Sequence, residues 1–147
     1  MKKLLSSLVL LGMVLLFGAC ESSKLDSATY EMNQSGVTSN VRVLYDKDKK
    51  VQEVHTKNNF NYEKTGATKE ETKEILDIAG KAYEKTEGLT YNVKYGEKEA
   101  TQTLEIAMNS LSEDELYSLY SVDKNDDGSI TFETFTKSLE DMGYTKK

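Results

Sequence analysis

The chain of 147 residues contains one cysteine, one histidine, no proline and no tryptophan. With a single cysteine, no disulfide can reinforce the fold, and a site built from several thiolates is excluded. A lone histidine and a lone cysteine give no recognisable pairing of a nucleophile with its base. Without proline, the turns depend on glycine, asparagine and aspartate. The residues indicate no cofactor.

The chain also lacks an excess of basic residues. It carries 19 lysines and arginines against 25 aspartates and glutamates, a net charge of −6. Nucleic-acid binding requires basic patches, so no nucleic-acid partner is expected. The same balance disfavours docking on anionic lipid headgroups. The length suits one domain with a modest core.

A long apolar run occurs at the N terminus. Lys2 and Lys3 precede a largely apolar run over residues 4–17, and Gly18 and Ala19 follow it. A positive start, an apolar centre and small residues before the cut are the order of an export signal. A membrane-spanning helix needs about 20 apolar residues, which this run does not reach. We predict a signal peptide at residues 1–19, whose removal leaves a net charge of −8.

Cys20 directly follows the predicted cleavage site. In bacterial lipoproteins, the thiol at this position receives a diacylglyceryl group. The stretch Phe17-Gly18-Ala19-Cys20 matches that lipobox pattern at its last two positions, and Phe17 departs from it. A signal peptide without a lipid would instead leave an unpaired thiol on an exported protein. We predict lipidation of Cys20, a membrane anchor facing the extracytoplasmic side, and a polar tether over residues 20–27.

Alternating apolar residues predict strands in the remaining chain. The predicted strands are residues 29–32, 37–45, 51–62, 89–95 and 104–108. Val51 and Val54 differ in parity, and Phe60 keeps the parity of Val54. This shift predicts a β-bulge or bend in the third strand.

Two capping boxes predict helix starts at Thr68 with Glu71 and at Ser112 with Glu115. The first helix is expected to run to a C-cap at Gly88. Its predicted buried stripe consists of Ile75, Ile78, Ala79, Ala82 and Tyr83.

A last helix is predicted to carry Phe132, Phe135, Leu139 and Met142 on one stripe and to end at Gly143. Strands around one long helix, followed by helices, indicate an α+β fold. We predict a small antiparallel sheet of about five strands. One long helix and a C-terminal helical segment pack on one face, in a single, monomeric domain at residues 28–147.

Five short segments of the chain resemble a known family. They are 65–70 (TGATKE), 89–91 (LTY), 106–108 (IAM), 128–131 (GSIT) and 142–144 (MGY). Together they are similar to the YehR-like family of small bacterial lipoproteins, over residues 28–147. The resemblance implies a single small α/β domain on a lipid anchor. The family is of unknown function, so the resemblance supplies no active-site residues.

Residues 123–134 resemble a calcium-binding loop. Its positions 1, 3, 5, 6, 8 and 9 are Asp123, Asn125, Asp127, Gly128, Ile130 and Thr131. The twelfth position, normally a bidentate glutamate, is Thr134; Glu133 comes one residue early, about 100° away on a helix.

A turn, a helix cap at Thr131 and a hydrophobic staple of Ile130 on Phe135 explain the same residues. We therefore expect no metal site here. The alternative is a calcium-responsive module with Asp123, Asn125 and Asp127 as ligands.

Two further features could carry chemistry. His55 follows Val54 on a strand, so we expect it to face solvent without a partner. Tyr91 and Tyr95 share one face of a strand. They form either a core stripe with hydroxyls at its rim or an aromatic binding groove.

The sequence thus predicts a non-catalytic binding or accessory lipoprotein whose ligand, protein or small molecule, is not specified. A carboxylate-dependent hydrolase is a further alternative.

Overall fold

The computed structural model describes residues 24–147, which form six strands and four helices. The strands are β1 (Asp26–Gln34), β2 (Val37–Tyr45), β3 (Val51–Asn61), β4 (Leu89–Tyr95), β5 (Glu99–Ala107) and β6 (Thr145–Lys146). The helices are α1 (Tyr62–Thr65), α2 (Lys69–Tyr83), α3 (Glu113–Tyr120) and α4 (Phe132–Asp141). The predicted α+β fold is confirmed. The predicted signal peptide and residues 20–23 of the tether lie outside the described residues.

All strand pairs are antiparallel, in the order β4-β5-β3-β2-β1-β6. The sixth strand was not predicted, because two residues are too few to show alternation. β1 begins at Asp26, so Asp26 and Ser27, which were assigned to the tether, belong to the sheet.

The predicted bulge lies at the start of β3. Leu44 pairs with Glu53, whereas Tyr45 pairs with Val51, so Gln52 is an extra residue on β3. This single insertion places both Val51 and Val54 in the core although their spacing is odd.

One face of the sheet is covered by helices. Towards β1, the side chains of Val43, Val54 and Ile106 pack in one cluster with Leu116 of α3 and Phe135 of α4. Towards β4, helix α2 lies over β4 and β5. The helices thus occupy the face that carries the even-numbered residues of β5, and the other face is polar and open.

The predicted start of α2 is correct, but its buried face and its end are not. Both hydrogen bonds of the capping box between Thr68 and Glu71 are present. Leu76 is 3% exposed, whereas Ile75 and Ile78 are 63% and 62% exposed. The side of the helix that carries Leu76 faces the sheet. Part of the predicted stripe therefore faces solvent. It ends at Tyr83, and Gly88 instead lies in the turn before β4.

The other helices follow the sequence more closely. The capping box between Ser112 and Glu115 is complete, and Thr131 caps α4. Ile130 and Phe135 are both buried in the main cluster, in agreement with the predicted staple. No helix within residues 24–147 is long and apolar enough to cross a membrane.

Candidate functional site

A groove of about 700 Å³ lies between α2 and the edge strand β4. We call it the α2–β4 groove. The residues that shape it are Asp77, Gly80, Tyr83, Tyr91, Val93 and Tyr95. The strand side chains are the odd-numbered residues of β4, which alternate onto the helix-covered face. The groove therefore combines an aromatic wall with a strand edge.

The hydroxyl of Tyr91 both donates and accepts a hydrogen bond. The hydroxyl donates to the carbonyl oxygen of Leu76 at 2.6 Å and accepts from Gln102 Nε2 at 3.2 Å. Gln102 Oε1 in turn accepts from Asn58 Nδ2 at 2.7 Å. Burial raises the pKa of the Tyr91 phenol, which keeps it a donor. This chain of hydrogen bonds fixes the floor of the groove to the centre of the sheet.

Gly80 allows the close approach of α2 to this floor. A Cβ at this position would lie 2.8 Å from Tyr91 Cε1. The ring of Tyr83 packs on the other side, with its centroid 5.5 Å from that of Tyr91 and a 45° tilt. The two rings and the glycine together line the groove.

Tyr95, four residues further along β4, also lines the groove. Its hydroxyl donates to Asp77 Oδ1 at 2.8 Å, and Asp77 also forms an ion pair with Lys73. Burial raises the pKa of the Tyr95 phenol, and its hydrogen bond to Asp77 raises it further. The hydrogen bond from Lys73, followed by that from Tyr95, lowers the pKa of the Asp77 carboxyl. Beside Tyr95, the negative charge of Asp77 is therefore already neutralised by Lys73.

The two interpretations of the tyrosines both hold in part. Tyr91 and Tyr95 are half-buried against α2 with hydroxyls at the rim, as a core stripe would be. They also line an open groove. The free edge of β4 was not predicted, because strand order cannot be read from alternation.

The loop over residues 123–134 is paired with a cation from another part of the chain, Lys50. Asp127 Oδ2 accepts from Lys50 Nζ at 2.6 Å, and Asp127 Oδ1 accepts from the backbone N–H of Ser129 at 3.0 Å. The hydrogen bond from Lys50 lowers the pKa of the Asp127 carboxyl well below its usual range. Lys50 lies 77 positions away in the chain, so no local pattern could have indicated it.

The other candidate ligands are also engaged or dispersed. Asn125 Nδ2 donates to Ser129 Oγ at 3.3 Å, and Asp123 is exposed. The backbone N–H of Thr134 donates to Thr131 Oγ1 at 3.2 Å, which completes the helix cap. Within residues 24–147 there is no group of three or more histidine, cysteine, aspartate or glutamate residues that could hold a metal ion.

The expectation that His55 has no partner is wrong. Its Nε2 lies 3.0 Å from Glu53 Oε2, two residues earlier on the same face of β3. Arg42 and Glu105 are its cross-strand neighbours on the open face. Glu53 and His55 are two residues apart on a strand and so share one face, and this spacing could have predicted their contact. Cys20, the predicted lipidation site, lies outside the described residues.

Comparison with known proteins gives one consistent set of matches. A family model described as "Protein of unknown function (DUF1307)" matches residues 26–145. Uncharacterized lipoproteins of Listeria monocytogenes and Listeria innocua are each 28% identical over 147 residues. Each match covers 98% of this chain and 95% of the relative.

A solved structure has the same fold. The NMR structure of the E. coli YehR protein superposes with a TM-score of 0.71 at 20% sequence identity. The match covers 85% of this chain and 92% of that one. At this identity the match establishes the fold alone.

Proposed function

The chain belongs to the DUF1307 family of unknown function, and from this premise we propose that it is a lipid-anchored, non-catalytic binding or accessory protein. Its anchor is a diacylglyceryl group on Cys20, and its domain faces the extracytoplasmic side of the membrane. The observation that supports the lipid anchor is the extent of the match to the two Listeria lipoproteins. Since 98% of this chain is aligned, Cys20 lies within the matched region. The membership agrees with the resemblance to YehR-like proteins.

The tether sets where the domain acts. Cys20 is six residues before the first residue of β1, Asp26. Six extended residues span at most about 20 Å. The sheet is therefore held against the membrane surface, within reach of other anchored molecules.

A binding role rather than a catalytic one is supported by the chemistry of the described residues. The hydrogen-bond partner of His55 is Glu53, and no serine, threonine or tyrosine hydroxyl within residues 24–147 bonds to it. The cysteine is assigned to the lipid. Within residues 24–147, His55 therefore activates no hydroxyl nucleophile. This supports a role in binding through surface contacts.

Substitution of Cys20 by alanine tests the anchor. In cells fed a labelled fatty acid, the parent should incorporate label, partition into detergent and sediment with membranes. Cys20→Ala should incorporate no label and accumulate unprocessed or be released. Ser23→Ala, three residues away, is the matched control and should behave as the parent. Detergent partitioning of Cys20→Ala after loss of residues 1–19 would contradict the lipid anchor.

The non-catalytic role has its own test. Purified parent protein should show no turnover on a panel of ester, phosphate and glycoside substrates. Any activity abolished by Glu53→Gln or His55→Ala, and retained in the exposed control Lys57→Gln, would overturn it.

A further inference from the structure

The edge strand β4 presents unpaired backbone groups. Within residues 24–147 its one strand neighbour is β5. Gly96 N–H donates to the Glu99 carbonyl at 2.9 Å, and Ala107 N–H donates to the Gly88 carbonyl at 2.9 Å. Because bonded positions alternate in an antiparallel ladder, the even-numbered residues of β4 bond to β5. The N–H and C=O groups of the odd-numbered residues therefore point away from β5. The N–H of Leu89 already donates to the Thr86 carbonyl at 3.4 Å, which leaves those of Tyr91, Val93 and Tyr95 for a partner strand.

This edge carries little of the usual protection against strand pairing. Exposed edges are commonly blunted by proline, by charged residues, especially lysine, or by a bulge. β4 contains one charged residue, Lys94, and its register with β5 is uninterrupted. The opposite edge differs, because β6 covers the middle of β1. A regular, open edge of seven residues is a template on which a partner strand can pair.

We propose that the partner is a second copy of this chain, with the two β4 strands antiparallel about a twofold axis at Asn92. In this register all seven residues of the strand LTYNVKY lie opposite a residue of the partner copy. On the helix-covered face, Leu89 pairs with the partner's Tyr95 and Tyr91 with the partner's Val93. Aromatic residues opposite aliphatic ones are favourable cross-strand pairs.

The open face and the backbone agree with the same register. Thr90 lies opposite the partner's Lys94, and Asn92 opposite the partner's Asn92, so no two lysines face each other. Tyr91 and the partner's Val93 form a hydrogen-bonded pair, which uses the outward N–H and C=O groups of both. The α2–β4 grooves of the two copies then join across the axis.

This contact depends on the lipid anchor for its strength, and so rests on the proposed function. A single strand pair is a small interface, and interfaces well below about 1,200 Å² are weak between free proteins. Two anchored copies move in one plane, which raises their effective concentration. The inference replaces the sequence-based expectation of a monomer.

Disulfide formation in the anchored, full-length chain tests the pairing. Cys20 is acylated in this account, so an introduced cysteine is the single free thiol. Residues opposite each other at a non-hydrogen-bonded position have Cα atoms about 4.5 Å apart, within the range of about 4.4–6.8 Å for disulfides. Asn92→Cys should therefore yield a covalent dimer on mild oxidation of membranes.

Lys94→Cys is the matched control. It lies on the same strand and face and is also exposed, but its two copies are four residues out of step, about 13 Å apart along the strand. It should yield several-fold less dimer than Asn92→Cys. Co-expressed Thr90→Cys and Lys94→Cys chains should cross-link to each other. Adding Val93→Pro to Asn92→Cys removes an outward N–H that the fold does not use, and should abolish the dimer at an unchanged protein level.

Equal dimer yields from Asn92→Cys and Lys94→Cys would overturn the pairing, as would a cross-linked product with a different protein. The parent without an introduced cysteine separates the two proposals. A disulfide dimer of the parent would show that Cys20 is a free thiol. That result contradicts the anchor, whereas the Asn92-to-Lys94 yield ratio still reports on the strand pairing.

Discussion

Lys50 and Asp127 form an ion pair, with 2.6 Å between Nζ and Oδ2, that joins the start of the third strand to the loop before α4. The same connection includes a backbone hydrogen bond from Val51 N–H to the Ile130 carbonyl at 2.9 Å. The loop that resembles a calcium site is thus attached to the sheet by the protein itself.

Replacement of Lys50 by methionine should make the free energy of unfolding less dependent on pH in the acidic range. A carboxyl whose pKa is lowered in the folded state stabilises the fold above its unfolded pKa of about 3.9, and this contribution is lost as the pH falls towards the folded pKa. We therefore expect Lys50→Met to lower the free energy of unfolding at neutral pH. The difference from the parent should shrink as the pH falls below about 4.

Urea unfolding of parent and variant at neutral pH and below about pH 4 measures this effect. Lys47→Met is the control, because Lys47 lies in the same turn and takes part in no ion pair described within residues 24–147. A pH-independent difference for Lys50→Met would mean that the loss does not arise from the ion pair with Asp127.

Calcium should leave the parent protein unaffected. Asp127 is occupied by Lys50, and Thr134 supplies no carboxylate at the twelfth position. Even weak extracellular calcium modules bind at about 10⁻⁴ to 10⁻³ M. The melting temperature should therefore be the same in excess chelator and in sub-millimolar calcium. A rise of several degrees in the parent would instead support the calcium-responsive alternative, and Thr134→Glu with Lys50→Met is the variant designed to create one.

The buried face of α2 gives a paired prediction for stability. Leu76→Ala removes a fully buried side chain and should cost about 2–5 kcal/mol in free energy of unfolding. Ile78→Ala, at an exposed position, should stay within about 0.5 kcal/mol of the parent. Denaturant unfolding of the two variants checks this, and comparable losses would show that Ile78 is covered.

The elements that the sequence predicted well are those encoded by neighbouring residues. Thr68 with Glu71 and Ser112 with Glu115 define helix starts within four positions, and the parity of Val51 located the bulge. These signals depend on backbone geometry alone.

The failures concern what each element packs against. The apolar residues of α2 span nearly half of its circumference, and Leu76 and Ile78 lie at opposite ends of this arc. Periodicity therefore could not show that Leu76, and not Ile78, faces the sheet. That choice depends on Gly80 meeting Tyr91, eleven positions away. The ion pair of Lys50 with Asp127 and the edge position of β4 are likewise set by strand order, which short patterns do not encode.

Gly80→Ala should destabilise the protein although alanine favours helices. The helix propensity gain is about 0.8–1.0 kcal/mol, whereas forcing a methyl group into a packed site costs about 1–3 kcal/mol. Because the new Cβ would lie 2.8 Å from Tyr91 Cε1, we expect the steric cost to prevail. In a Tyr91→Leu background the ring is gone, and the same change should become neutral or stabilising. A stabilising effect in the parent would mean that α2 shifts freely over β4.

The mass of the mature protein tests the central claim most directly. Intact mass spectrometry of the chain extracted from membranes should show residues 20–147 beginning at Cys20, with the added mass of a diacylglyceryl group. An unmodified thiol at Cys20, or an N terminus at any other residue, would contradict the account of an anchored lipoprotein.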